Sequence, residues 1–462
     1  MRTNKILLIT AMIVSSAFCG IAQNARHSLS MKESINDNNI FYPASLETGS
    51  RAMAANWYLQ NFAIVDNNNH SNVLATDNVY RDRLNSLSRQ MGVEMTFNPI
   101  VKKYIEYYLQ RKRTLVAQML GMCTFYMPYF DRAIGSRRLP RALRCVPLAG
   151  SALDANAVSP AGAGGLWHFM VLTAKGHGLE VNSLVDERRD PVKASYAAAT
   201  YLKKLHDTYG DWMLAIAAYY CEPSNVNKAV RRAEVNGVSH PGFWDIYNFL
   251  PRNTRGYVPA FIATNYVMAF HREHNIGSAP ARRRLDVDSV MVDKRVNLNQ
   301  VAQVLNIPID ELRFLNPQYR NDVIPGNIHP YALTLPAQYV YSYRRNRDRI
   351  ASHDRELYAV RDEVQPGESK EDSQPHLAPA VIEPIDEAPV SRRRSVSIAY
   401  NDSPRPASYT PASYPPANYS GHAGSDYRQV PAARARQEKG TTTQVPVPVK
   451  RKSYVVNPSQ QY

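Results

Sequence analysis

Hydrophobic and polar positions fall into distinct regimes along the chain. From Asn98 the apolar residues recur at helical spacing. Val101, Ile105, Tyr108 and Leu109 share one face behind Asn98-Pro99, an N-cap followed by proline at the first helical position. Asp190-Pro191 opens another helix with Ala198, Tyr201, Leu202 and Leu205 on one face, and Tyr209-Gly210 ends it. Asp211 caps the next, Trp212 to Tyr220, and Val146-Pro147-Leu148 leads into a further one. These signals predict an all-helical domain over residues 96–275. Residues 285–337 read differently. Alternation around Val287–Val292 predicts a strand, and Val301, Val304 and Leu305 a short helix. Asp310 is placed to cap a second helix with Leu312 and Leu315, stopped by Asn316-Pro317, and Tyr331 to Leu335 is a closing strand. The result is a β-α-α-β unit.

The flanks carry weaker patterns. Residues 23–95 are polar and Asn-rich, which predicts a partly ordered N-terminal region. From Arg344 the core pattern stops. Fourteen of the 31 prolines lie beyond it, some in a five-residue repeat that begins at Pro406-Ala407-Ser408-Tyr409. Such a segment buries too little apolar area to offset its ordering entropy, so residues 344–462 are expected to be a disordered Pro/Tyr/Arg-rich tail.

The first residues change the picture of compartment. Arg2 and Lys5 precede an apolar stretch, Ile6 to Val14, and Gly20-Ile21-Ala22 supplies small residues before Gln23. Residues 1–22 read as a signal peptide, too short to span a membrane, so the mature chain is expected to have no transmembrane segment. Cys19 follows Phe18, which is too bulky for a lipobox. Cys123, Cys145 and Cys221 remain, an odd number that permits at most one internal pair, and a Cys145–Cys221 bridge is one option. The balance of 55 Lys and Arg against 40 Asp and Glu, formally +15, suits an anionic partner. The basic residues are scattered and no nucleic-acid motif is present, so no nucleic acid is expected.

The chemistry concentrates between Leu139 and Met268. Ser159 to Met170 (Ser-Pro-Ala-Gly-Ala-Gly-Gly-Leu-Trp-His-Phe-Met) is a glycine-rich loop followed by large apolar residues. With Asp190-Pro191, Gly210-Asp211-Trp212, Ala217-Ala218-Tyr219 and Thr254 to Pro259, in that order, it resembles the soluble-lytic-transglycosylase domain, closest to the membrane-bound murein transglycosylase D branch. The resemblance implies a lysozyme-like, mainly α domain that cleaves the MurNAc–GlcNAc bond of peptidoglycan. It also implies a glutamate in Pro-x-x-Glu-Ser that protonates the leaving oxygen and then takes the proton of the sugar's 6-hydroxyl. Here the motif reads Pro147-Leu148-Ala149-Gly150-Ser151, with Gly150 at the glutamate position. His168 replaces a Gln of the family, and Tyr219-Tyr220-Cys221-Glu222-Pro223-Ser224 replaces Tyr-Asn-x-Gly-Pro-Gly. Tyr257 is kept, and in the family that tyrosine faces the sugar.

The expected glycan cleft is therefore Gly150, Ser151, His168, Tyr219, Tyr220, Glu222 and Tyr257. Glu222, in a cleft-facing loop, and Asp154, one helical turn beyond Gly150 if the helix continues, are the candidate substitute carboxylates. Asp154 also reads as a cap. No metal and no cofactor are expected, since His168, Cys221 and Glu222 lack a recognisable ligand spacing. Residues 285–337 resemble the LysM module through Asn316-Pro317 and Leu333-Thr334-Leu335-Pro336, although Lys294 to Leu298 replaces the family's Gly-Asp-Thr-Leu. The fold expected is mainly α: a lysozyme-like lytic-transglycosylase domain, a small α+β LysM-like unit and a disordered tail. The function expected is that of an exported protein of the periplasm or cell envelope, with outer-membrane association as one option, that binds peptidoglycan glycan strands. It would be a catalytically degenerate binding or scaffold protein, with the tail reaching envelope protein partners. The alternative is an active transglycosylase with a displaced carboxylate.

Overall fold

The helices begin where local chemistry says they do. In the computed structural model, which describes residues 32–62, 64–65, 72–279 and 285–358, Asn98 accepts the Val101 amide at 2.9 Å and starts a helix over Pro99–Arg111. Asp190 accepts the amides of Val192 and Lys193 at the head of Pro191–Tyr209, which stops at Gly210 with φ 66°. Asp211 accepts the Leu214 amide and opens Trp212–Cys221. In each case a side-chain oxygen satisfies an amide that the first turn leaves without an intrahelical partner. The signal-peptide expectation over 1–22 and residues 359–462 of the expected tail lie outside the described residues.

In chain order the main helices are α1 (Ala44–Ala54), α2 (Trp57–Asn61), α3 (Asp77–Met91), α4 (Pro99–Arg111), α5 (Arg113–Ser136), α6 (Val146–Ser151), α7 (Pro191–Tyr209), α8 (Trp212–Cys221), α9 (Pro223–Val235) and α10 (Tyr257–Phe270). Helix α5 packs on α7 and α1, α10 packs on α4 and α6, and α8 packs on α7 and α10. Their facing side chains make one large core. The polar stretch 23–95 contributes to it. Tyr80, Leu84 and Leu87 of α3 are buried at i, i+4 and i+7, a narrow stripe on an otherwise polar helix.

The second unit has its own core. Strand β1 (Val287–Val292) pairs antiparallel with β4 (Tyr331–Pro336), Val287 opposite Pro336 and Val292 opposite Tyr331. Between them lie α11 (Leu298–Leu305) and α12 (Ile309–Leu315), as the pattern predicts, and a second ladder that it did not reveal, β2 (Arg295–Asn297) with β3 (Val323–Pro325). Asp310 is not the cap of α12. The helix starts after Pro308, and Asp310 sits in its first turn, 3.3 Å from Arg313. Order also runs past Arg344. Helix α13 (Val340–Ser352) buries Val340, Tyr343 and Ile350 and packs on α11. Its few apolar positions are hidden among arginines, which is why residues 344–352 read as tail.

The described residues belong to one compact unit, and two clusters join its halves. Asp186 is fully buried and accepts from Arg188 (2.9 and 2.8 Å) and from Arg320 (2.8 Å). Phe314 of α12 packs among Trp57, Tyr58 and Phe125, with ring centroids 4.9 to 5.7 Å apart. Among the described residues no helix is long and apolar enough to cross a membrane.

Candidate functional site

Behind the site lies a short helix, α6, whose one polar side chain, Ser151, is buried. All six residues of α6 are buried, and the chain leaves it through Ala152 and Leu153, both left-handed (φ 54° and 66°). A Cβ on Gly150 would lie 3.2 Å from the Tyr220 hydroxyl oxygen, 3.3 Å from its Cε1 and 3.6 Å from His168 Cγ. The space in front of Gly150 is thus closed by two side chains. The Ser151 hydroxyl lies 3.0 Å from the Pro147 carbonyl and 2.8 Å from that of Leu166, so it ties α6 to the glycine-rich loop.

That loop is shaped by a buried arginine. Arg188 donates to the carbonyls of Gly162 (3.0 Å) and Phe169 (3.2 Å). Gly165 has φ 77°, and a Cβ there would sit 1.9 Å from the Arg188 carbonyl oxygen, so only glycine fits. Trp167 faces the core and donates its indole N–H to Ser195 at 2.9 Å. His168 follows with φ 50° and points the other way, 9% exposed. Burial, helped by the positive charge of Arg188, pushes its pKa down to about 4. Its Nε2 is buried with no hydrogen-bond partner among the described residues.

Helix α8 supplies the aromatic wall. Tyr219 donates to the Trp167 carbonyl at 2.7 Å, and Tyr220 donates to the Val146 carbonyl at 2.7 Å. The Tyr220 ring stacks on Tyr257 at 4.2 Å and 7°. Burial raises both α8 phenols well above their ordinary value. Glu222 ends the helix at φ 70°, ψ 143°, a backbone region that favours glycine, and its side chain is exposed.

These elements enclose a cavity of about 200 Å³. It brings together His168, Tyr219, Tyr220, Glu222 and Tyr257. Gly150 and Ser151 lie outside its lining, Gly150 directly behind Tyr220. Asp154 is elsewhere. Helix α6 ends before it, and it accepts the Asn156 amide at 2.8 Å as a turn residue, with burial raising its pKa. Glu222 is the one carboxylate in the lining. Sequence reading missed Phe41 and Ala44, from the polar N-terminal region, and placed Tyr201 on a core face although it reaches the cavity. The Phe41-Tyr42-Pro43 triplet, aromatic in a polar stretch, was the available signal.

Cys123, Cys145 and Cys221 are all free thiols, so Cys145 and Cys221 are not bridged. Burial pushes Cys145 up to about 11 and Cys221 up to about 12, which makes both poor nucleophiles. Among the described residues no group of three or more His, Cys, Asp or Glu is placed to hold a metal ion.

Two stretches of the chain match known domain models. Residues 130–239 match the Transglycosylase SLT domain, and residues 286–352 match the lytic transglycosylase MltD, LysM-like domain. Over 222 residues the chain is 26% identical to the membrane-bound lytic murein transglycosylase D of Escherichia coli (strain K12), covering 48% of each chain. It is 32% identical over 106 residues to a putative tributyltin chloride resistance protein of Alteromonas sp. (strain M-1), 23% of this chain and 51% of that one. The matches thus span about half the length of these curated relatives. Among solved structures, the 70 kDa soluble lytic transglycosylase SLT70 of Escherichia coli aligns with a TM-score of 0.29 and 18% identity, over 43% of this chain and 31% of that one. The chain carries a lysozyme-like transglycosylase SLT domain followed by a LysM-like domain of the lytic transglycosylase MltD kind.

Proposed function

We propose that this is an exported, peptidoglycan-associated protein of the cell envelope whose transglycosylase-type cleft holds glycan without cutting it. One observation carries the reading. The glutamate that the resemblance implies falls at Gly150, where even a Cβ would meet Tyr220 at 3.2 Å and touch His168 at 3.6 Å. A positioned general acid contributes about 10²–10⁴-fold, and neither a phenol bonded to a backbone carbonyl nor a neutral imidazole replaces a buried carboxyl. The cleft still offers what a sugar needs, aromatic faces for its C–H surface and Asn253, Thr254 and Ser159 for its hydroxyls. The LysM-like domain supports the same class of ligand, and residues 359–462 are left to reach envelope partners.

A second reading keeps activity and assigns it to Glu222. Its glycine-favouring backbone inside the cavity lining supports this, because strain of that kind gathers at working sites. Its exposure weighs against it, because a carboxyl gains the proton-holding character of a general acid by burial. Incubation of the purified chain with murein sacculi separates the two. Co-sedimentation with no anhydro-muropeptide release is expected. Release that Glu222→Gln abolishes would overturn the binding reading in favour of the second.

A further inference from the structure

Phe41 belongs to none of the motifs above and lies outside both matched domains, yet it forms part of the cavity wall. Its ring is 51% exposed. The backbone that carries it is pinned on both sides. Upstream, the Asp37 carboxylate accepts from Arg255 at 2.6 Å and from the Tyr247 hydroxyl at 3.1 Å. At Phe41 itself the carbonyl accepts the Tyr104 hydroxyl at 2.9 Å. A Cβ on Gly256 would lie 2.5 Å from that carbonyl oxygen, so glycine at 256 is what lets the segment approach so closely. Downstream, Tyr42 stacks on Tyr107 at 3.9 Å and 13°, and Ser45 donates to the Ala149 carbonyl, which ties α1 to the helix that bears Gly150. Six contacts thus fix a strap across one side of the cleft, and none of them uses the Phe41 ring.

A rigid backbone that presents a half-open aromatic face is a preorganised binding surface, since little ordering entropy remains to be lost on binding. Its chemistry fits one face of a pyranose ring. Such a ring has an apolar C–H side and a polar rim, and the cavity pairs Phe41 with the hydrogen-bonding groups of Asn253 and Thr254 and with the partnerless Nε2 of His168. We infer that the strap over residues 35–43 is a built wall of the glycan cleft and that Phe41 is its stacking platform for a sugar ring of the peptidoglycan strand. This rests on the glycan-binding reading above and adds a residue and an element to it.

Titration calorimetry of the full chain tests it, with soluble glycan strands of alternating GlcNAc and MurNAc, stripped of stem peptides, as the probe. Covering the exposed half of the ring predicts that Phe41→Ala weakens binding about tenfold. Phe41→Trp keeps the affinity within about twofold, because the stacking face remains. Val235→Ala, an exposed apolar residue of α9 outside the cavity, leaves it unchanged. The thermal midpoint of Phe41→Ala stays at the wild-type value, since the buried anchors do not involve the ring. Wild-type affinity in Phe41→Ala overturns this inference and leaves the glycan reading standing. Absence of binding by the wild-type chain overturns both.

Discussion

Placing a glutamate at Gly150 tests whether the surrounding side chains are packed against a carboxylate there, as the glycan-holding reading proposes. The new Cβ meets Tyr220 at 3.2 and 3.3 Å, closer than side chains ordinarily pack, and the rest of the side chain must enter space that Tyr220 and His168 hold. Overpacking of this kind costs about 1–3 kcal/mol. A carboxylate buried without a partner adds about 3 kcal/mol more, and replacing glycine in a helix returns about 1 kcal/mol. Gly150→Glu is therefore expected to lose about 4 kcal/mol, a drop in Tm of about 10 °C. Tyr220→Asn alone forfeits the stack on Tyr257 and the bond to the Val146 carbonyl, about 3 kcal/mol in total. In the double variant the glutamate occupies the volume the ring vacates. The combined loss should then fall short of the sum by about 2 kcal/mol, within the usual coupling range for residues in contact. Urea denaturation of the four proteins gives the coupling energy, and sacculus digestion gives the activity. Strictly additive losses refute the packing account. So does anhydro-muropeptide release by Gly150→Glu at unchanged stability.

Three further outcomes follow from the geometry. Asp186→Asn leaves Arg188 and Arg320 around a neutral group, so it should cost about 3–5 kcal/mol, and limited proteolysis should then cut between the helical domain and the LysM-like unit. His168 is held near 4 while an unfolded chain protonates it near 6.5, so only the unfolded state takes up a proton in that window. Its contribution to stability is complete above pH 6.5 and falls by about 3 kcal/mol toward pH 4, and His168→Gln should flatten that slope in denaturation curves at pH 7 and pH 4.5. Glu222→Gly relieves a glycine-favouring backbone and should stabilise the chain by about 1 kcal/mol, read as a higher urea midpoint.

Sequence revealed the elements whose cause is local. Asn98, Asp190 and Asp211 each cap a helix from within three residues of the amides they accept, so residue type and spacing suffice. Helix α5 was illegible for the opposite reason. Its first half, Leu115 to Met122, is buried without interruption, and a stretch buried on every side has no periodic stripe to detect. The cleft divides the same way. His168, Tyr219, Tyr220 and Tyr257 were visible as motif positions. Phe41 was not, because its place depends on Asp37 meeting Arg255, 218 residues away along the chain. The failure of Asp154 as a cleft residue is also tertiary. Its place depended on α6 continuing, and Ala152 and Leu153 in left-handed conformations stop it.

The departures from the transglycosylase pattern are neighbours in space, and this bears on what kind of loss Gly150 represents. Deleting one glutamate from an otherwise unchanged site would leave a polar-walled hole. Here the Tyr220 ring lies against Gly150, its hydroxyl bonds the carbonyl of Val146 in the same short helix, and its far face stacks on Tyr257. His168 lies 3.6 Å from where a Cβ on Gly150 would be and is neutral near pH 7. Tyr220 is bonded to a backbone carbonyl and His168 is uncharged, so neither brings a buried charge to this position, although the His168 Nε2 has no partner among the described residues. On the proposed reading, neutral aromatic surface stands where the resemblance implies a carboxyl, and such surface favours holding a sugar over transferring a proton to it. A site that differs by one missing carboxyl and nothing more would not be expected to have Tyr220 and His168 packed against Gly150. That packing is the ground on which the glycan-holding reading is proposed.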